Sequence, residues 1–87
     1  PDNAYYLDSL AWVYYKNGNF AKAISTQAKA IEIAPKDAVM FEHYGDMLWK
    51  SGNQQAARRA WQTAIELKSE HTPLIRSKIT EGLSANQ

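Results

Sequence analysis

The 87-residue chain has no cysteine, which removes disulfides, thiolate metal ligands and thiol nucleophiles but leaves the compartment open. Charge of either sign is hardly in excess, with ten Lys and Arg against nine Asp and Glu. No strong field therefore recruits nucleic acid or anionic lipid from a distance. No apolar run approaches the roughly 18 residues that a membrane span needs, and no charged-then-apolar leader opens the chain. The two imidazoles, His43 and His71, lack companions at metal-ligand spacing, and Glu42-His43 lacks the second histidine of the zinc-protease helix. There is no Gly-x-Ser-x-Gly elbow and no glycine-rich phosphate loop. Asp8, Glu42 and Asp46 could share a surface as acid/base carboxylates do, but no segment forms a pocket around them, and a solvated acidic face is the simpler reading. The expectation is a chain that is not an enzyme and that needs no cofactor, metal, nucleic acid or membrane insertion.

Glycine and proline are also scarce, at four and three residues, so each one punctuates. Asn17-Gly18-Asn19-Phe20 has a near-copy, Ser51-Gly52-Asn53-Gln54, 34 residues later. At that offset Pro1 falls on Pro35, Ala4 on Ala38, Lys16 on Lys50, Ala23 on Ala57, Ala30 on Ala64, Ile31 on Ile65 and Glu32 on Glu66. Leu7 pairs conservatively with Phe41, Asp8 with Glu42, Ala11 with Gly45, Tyr14 with Leu48 and Tyr15 with Trp49. A period of this size marks stacked supersecondary units. Here the unit is a helix, a Gly-Asn break and a second helix, within one domain spanning residues 1–87.

Leu7, Leu10, Ala11 and Tyr14 recur with helical spacing, so the first helix is expected from about Ala4 to Asn17 behind an Asn3 cap. Gly18 ends it in the left-handed conformation, and Asn19 caps a second helix with Phe20, Ala23, Ile24, Gln27, Ala30, Ile31 and Ala34 on one face. Pro35 stops that helix. Asp37 caps a third, about Ala38 to Ser51, with Phe41, Tyr44, Gly45 and Leu48 inward. Gly45 costs about 1 kcal/mol of helix propensity relative to alanine, so a close crossing is expected there. The fourth helix runs from about Gln54 to Lys68 with Ala57, Ala60, Trp61, Ala64 and Ile65 inward. Thr72-Pro73 reads as N-cap and N1 of a fifth helix, about 73–83, whose Leu74, Ile75, Ile79 and Leu83 form an apolar stripe with Arg76, Lys78 and Glu81 largely off it. Ser84 to Gln87 should fray.

These positions resemble the tetratricopeptide repeat family. The first unit carries Leu7-x-x-Leu10-Ala11-x-x-Tyr14, then Ala23, Ala30 and Pro35; the second carries Phe41-x-x-Tyr44-Gly45-x-x-Leu48, then Ala57, Trp61 and Ala64. The resemblance implies an all-α, right-handed superhelix of two hairpins, repeat one about 4–37 and repeat two about 38–71, closed by a capping helix. Two positions depart from the pattern: Gln27 stands where the family has a large apolar residue, and Ser69 replaces the terminal proline.

Opposite the core stripe, Tyr5, Asp8, Trp12, Tyr15 and Lys16 share one face of the first helix, and Val39, Glu42, Asp46, Trp49 and Lys50 share that of the third. By resemblance this face lines the concave side, where ligands bind, and large aromatics off a core stripe ask for such a reason. The partner-binding set is therefore Tyr5, Asp8, Trp12, Tyr15, Lys16, Glu42, Asp46, Trp49 and Lys50, unless Trp12 and Trp49 pack on the neighbouring unit instead. The family members that clamp heat-shock chaperone carboxylates use Lys and Asn where this chain has Asp8, Glu42, Trp12 and Asp46, so that ligand is disfavoured.

The function expected is a protein-interaction module for a peptide or partner helix. Alternatives are a structural terminator of a longer array and, more remotely, nucleic-acid binding through Arg58 and Arg59. Starting at Pro1 without Met, in mid-repeat phase, the chain reads as a piece of a longer protein. Tyr6, Leu10 and Val13 would then form an open N-terminal edge prone to self-association, by edge pairing or by helix exchange at Gly18 or near Pro35.

Overall fold

The computed structural model describes residues 3–84. Pro1, the repeat partner of Pro35, and the expected fraying beyond Ser84 lie outside the described residues. Five helices follow one another: α1 (Ala4–Lys16), α2 (Phe20–Ile33), α3 (Ala38–Lys50), α4 (Gln54–Glu66) and α5 (Thr72–Glu81). Among the described residues there is no strand.

Side chains start four of the helices. Asn3 Oδ1 accepts from the amides of Tyr5 and Tyr6 at 2.9 and 3.2 Å. Asn19 accepts from Lys22 at 3.3 Å, Asp37 from Met40 at 3.1 Å and Asn53 from Ala56 at 3.1 Å. Each bond satisfies an amide that has no partner within its own helix. At the other ends, Gly18 (φ 82°) and Gly52 (φ 100°) turn the chain in the left-handed region. The amides of Gly18 and Asn19 then reach back to Tyr15 and Tyr14, and those of Gly52 and Asn53 to Trp49 and Leu48. This is the doubly bonded C-terminal cap for which glycine is preferred. The same two bonds close α4, from Lys68 to Ile65 at 2.8 Å and from Ser69 to Ala64 at 3.1 Å, yet the residue at positive φ there is Lys68 (φ 64°).

The start of α5 departs from the sequence expectation by one residue. Thr72 is inside the helix, and His71 occupies the cap position without a side-chain bond. The Thr72 hydroxyl donates instead to the Ser69 carbonyl at 2.6 Å, so it ties down the preceding turn.

Helices α1 and α2 form one hairpin and α3 and α4 the next; α2 packs on α3, and α5 packs on α4. The shortest principal extent, 18 Å, is less than two helix diameters of roughly 10–12 Å each, so the array is no more than two helices thick. Small residues set the spacing. Ala11, Ala23, Ala30, Ala57 and Ala64 have no exposed surface, and a Cβ on Gly45 would overlap the Trp61 indole. Gly45 is thus the close crossing that its place in mid-helix predicted. Between the repeats, Met40 packs with Ala4 and Ala30, and Met47 with Ala11, Tyr15 and Ala23. Burial of each methionine contributes roughly 1.5–3 kcal/mol. In the second hairpin Trp61, Leu48, Ala57, Ala60 and Ala64 form a cluster that Ile75 of α5 completes, with Ile79 and Leu83 alongside.

Two residues of α5 correct the sequence reading. Leu74, placed on the covering stripe, is 51% exposed, whereas Lys78, placed off it, is only 6% exposed. At about 100° per residue, Lys78 lies roughly 60° from Ile75, on the same face as Ile75 and Gly82. Leu74 lies roughly 100° from Ile75, on the outer edge. What brings a lysine inward is the pair of carboxylates beneath it.

Candidate interaction surface

Glu42 and Asp46 are one turn apart on α3 and are buried, and a residue from each of α4 and α5 reaches them. Lys78 Nζ donates to Glu42 Oε2 at 2.9 Å and to Asp46 Oδ1 and Oδ2 at 3.1 and 3.3 Å. Trp61 Nε1 donates to Asp46 Oδ1 at 3.0 Å, and His71 Nδ1 lies 2.8 Å from Glu42 Oε1. Burial pushes the Glu42 carboxyl up, but hydrogen bonds from His71 and Lys78 and their positive charges together outweigh it and hold the group below its ordinary value. For Asp46 burial wins: the charge and hydrogen bonds of Lys78 and the Trp61 bond pull down, the nearby Glu42 adds to the rise, and the carboxyl ends above its ordinary value.

The first repeat has a parallel but more open arrangement. Gln27, one period before Trp61, is fully buried, and its Nε2 donates to Asp8 Oδ1 at 2.7 Å and to the Met40 carbonyl at 2.9 Å. In both repeats the large position of the second helix thus gives an N–H to a carboxylate on the first. The polar departure at Gln27 has its partners, although its Oε1 has none among the described residues. His43 Nδ1 lies 3.0 Å from the same Asp8 oxygen. Burial pushes Asp8 up; the bonds from His43 and Gln27, with the His43 charge, pull it below its ordinary value.

Both indoles of the expected face pack on other side chains, Trp12 on the second repeat and Trp49 mainly within its own repeat and on Gly82 of the α5 segment. The Trp12 ring is 4.5 Å from His43 and 4.8 Å, stacked, from Tyr15, with Lys16 Nζ 5.3 Å above it. Trp49 stacks on Trp61 at 5.7 Å and carries the Arg58 guanidinium at 5.0 Å, while its edge lies so close to Gly82 that a Cβ there would overlap it. Arg58 Nε also donates to the Ile79 carbonyl at 2.9 Å, which ties that cation to α5. Lys50 Nζ donates to the Ser84 carbonyl at 3.1 Å.

The nine residues read as one face therefore occupy different depths. Tyr5 is 71% exposed, Lys16 is exposed, and Asp8, Trp12, Trp49 and Lys50 are half-buried. Tyr15, Glu42 and Asp46 are buried. Tyr15 corrects the expectation of a surface aromatic: it belongs to the core around Met47, where burial and then the Asp46 charge push its hydroxyl up to about 12. The acidic character expected of the face is also reduced, because Glu42 and Asp46 are matched from within by Lys78 and His71. The Asp8 and Glu42 partners Gln27, His43, His71 and Lys78 were not foreseen. For Lys78 the signal was present, since it falls beside Ile75 on the helical wheel, on the side away from Ile79.

Two shallow depressions, between α4 and α5 beside Gln62 and Thr80 and between α3 and α4 beside Tyr44 and Arg59, include no residue of this face. Among the described residues no three His, Asp or Glu side chains converge as metal ligands, and no helix is long and apolar enough to cross a membrane.

Stacked helical hairpins at a fixed period define a helical-repeat fold. Residues 4–37 match the tetratricopeptide repeat family model, so this stretch is similar to a tetratricopeptide repeat. A comparison with curated proteins finds no match. Tetratricopeptide repeats are in general non-catalytic, protein-interaction repeats, and the match suggests a protein-interaction module in that broad sense.

Proposed function

We propose that the module takes a peptide or partner helix on the face of α1 and α3 centred on Trp12, with Tyr5, Asp8 and Lys16 at the surface and His43 beside them. Tyr15, Glu42, Asp46, Trp49 and Lys50 then act mainly by holding that face in place. The observation that supports this most directly is the fixed Trp12 indole, half-open and braced between Tyr15 and His43, two turns along α1 from an exposed Tyr5. A rigid aromatic already ordered before binding loses little entropy on contact, and Trp and Tyr are the residues that most often dominate interface energies. With all three carboxylates, Asp8, Glu42 and Asp46, held by internal partners, aromatic contact rather than acidic attraction carries recognition.

The test is a peptide panel titrated against the protein while following tryptophan emission. A peptide that binds should lose about 2 kcal/mol or more on Trp12→Ala, and Tyr5→Ala should weaken it without moving the melting temperature. A panel with no binder would favour the second reading, a structural terminator of a repeat array, which the cover of α5 over Trp61 supports.

A further inference from the structure

We propose that α5 exchanges between two copies of the chain, so that the α5 of one copy docks through Ile75 and Lys78 on the α3–α4 hairpin of the other. Three features of the segment that joins α4 to α5 lead to this, together with the chemistry of the seat itself.

The first is composition. The turns after α1 and α3 contain Gly18 and Gly52, and the one after α2 contains Pro35, so none of these can readily become helix. Leu67-Lys68-Ser69-Glu70-His71 contains neither residue. The five can continue α4 directly into α5. Pro73 lies one turn further on, where it leaves the Ser69 carbonyl without a backbone donor and bends the helix. The Thr72 hydroxyl already donates to that carbonyl at 2.6 Å.

Strain is the second. The closed turn forces Lys68 to φ 64°, whereas the equivalent caps use Gly18 and Gly52. A side chain at positive φ is disfavoured, and short strained hinges invite exchange. The third is weak anchorage of α5. It is the shortest helix of the five and the one whose cap position makes no side-chain bond; its backbone packs on α4, and α3 is reached chiefly through the single side chain of Lys78. Such a segment opens at lower free energy than the rest of the fold.

The seat identifies the occupant. Once α5 leaves, it uncovers the Trp61 cluster and two buried carboxylates, Glu42 and Asp46, that require a cation between flanking aliphatic side chains. A second copy of α5 supplies Ile75, Lys78 and Ile79 at the matching spacing and restores the contacts of the seat, while the closed turn loses the bonds His71 amide to Ser69 Oγ and His71 to Glu42 and exchanges its backbone bonds Lys68 to Ile65, Ser69 to Ala64 and Thr72 to Ser69 for helical ones. The occupant is therefore another copy of this chain, and the hinge lies at Lys68 rather than at Gly18 or Pro35.

Sedimentation of the full chain from micromolar to millimolar concentration should show a monomer–dimer equilibrium. Lys68→Gly should raise the dimer dissociation constant about tenfold, because glycine relaxes the closed turn and weakens a fused helix. Ser69→Ala should lower it, since the variant loses the Oγ that holds the turn and gains helix propensity. In mixtures of isotope-labelled and unlabelled chains, Ile75 should give intermolecular NOEs to the Trp61 ring. A strict monomer for both wild type and Ser69→Ala overturns the proposal, and so does a dimer whose Ile75–Trp61 NOEs are all intramolecular, which would place the interface elsewhere. Circular dichroism checks that each variant retains its helices.

Discussion

At the scale of single residues, Gly45 and Trp61 fix the second hairpin. The indole lies where a Cβ would be, and its N–H is held by Asp46, so the ring cannot retreat without losing a buried hydrogen bond. Gly45→Ala should therefore destabilise by about 3 kcal/mol despite its better helix propensity. Gly18→Ala meets no atom within 4 Å and should cost only about 1 kcal/mol, from positive φ alone. Denaturant unfolding of both variants checks this; equal losses would mean that the crossing is not tight. Gly45 was legible in the sequence because a mid-helix glycine gives up helix propensity, and close packing is what offsets that loss. The partners of Gln27, His43 and His71 were not. They span 19, 35 and 29 residues, and a side-chain bond across helices depends on ångström-level placement that periodicity does not carry.

At the scale of the element, α5 shows how far a helical wheel can be trusted. The repeat period and caps placed all five helices within about two residues of their ends, within the usual scatter of such boundaries. The inward face of α5 was misjudged because hydrophobicity alone chose Leu74 over Lys78. A buried cation is put there by carboxylates on another helix, which a local pattern cannot register. Lys78→Met keeps the volume but leaves Glu42 and Asp46 facing each other without a cation. Breaking a buried pair in this way costs about 3–5 kcal/mol, enough for α5 to detach. Adding Glu42→Gln and Asp46→Asn should recover most of it, as measured by hydrogen exchange in α5. The pH dependence has a defined sign. Asp8 and Glu42 titrate below their ordinary values of 3.8 and 4.5, so each stabilises the fold above those values and loses that contribution as pH falls through its lower folded value. Asp46 runs the other way, its charged form being penalised by burial. Unfolding followed against pH should thus show stability falling below about pH 4, with Glu42→Gln flattening the fall; an unchanged acid profile in that variant would mean that Glu42 is not held low.

At the scale of the whole molecule, the two repeats differ most at their leading edges. Met40 and Met47 are buried at 1% and 0% exposure against the first repeat. Their equivalents one period earlier, Tyr6 and Val13, are 61% and 54% exposed, and Leu10 between them is half-buried. This edge fits another helical hairpin, and we propose that it adds a weak self-association of its own. Val13→Glu should abolish concentration-dependent light scattering that survives Lys68→Gly, while changing the stability of the fold by no more than about 0.5 kcal/mol. No change in scattering would show that the edge is inert.

The lysine clamp of α5 has a mechanical meaning as well. Tension applied through the C-terminus acts first on the helix with the least cover, and it must part Lys78 from two carboxylates before it reaches Trp61. Under slow pulling, residues 67–84 should come away as a separate low-force step of roughly 4–6 nm, while both hairpins stay folded. The chain would then behave as a spring with a catch at one end, and the catch would loosen in acid as Glu42 takes up its proton.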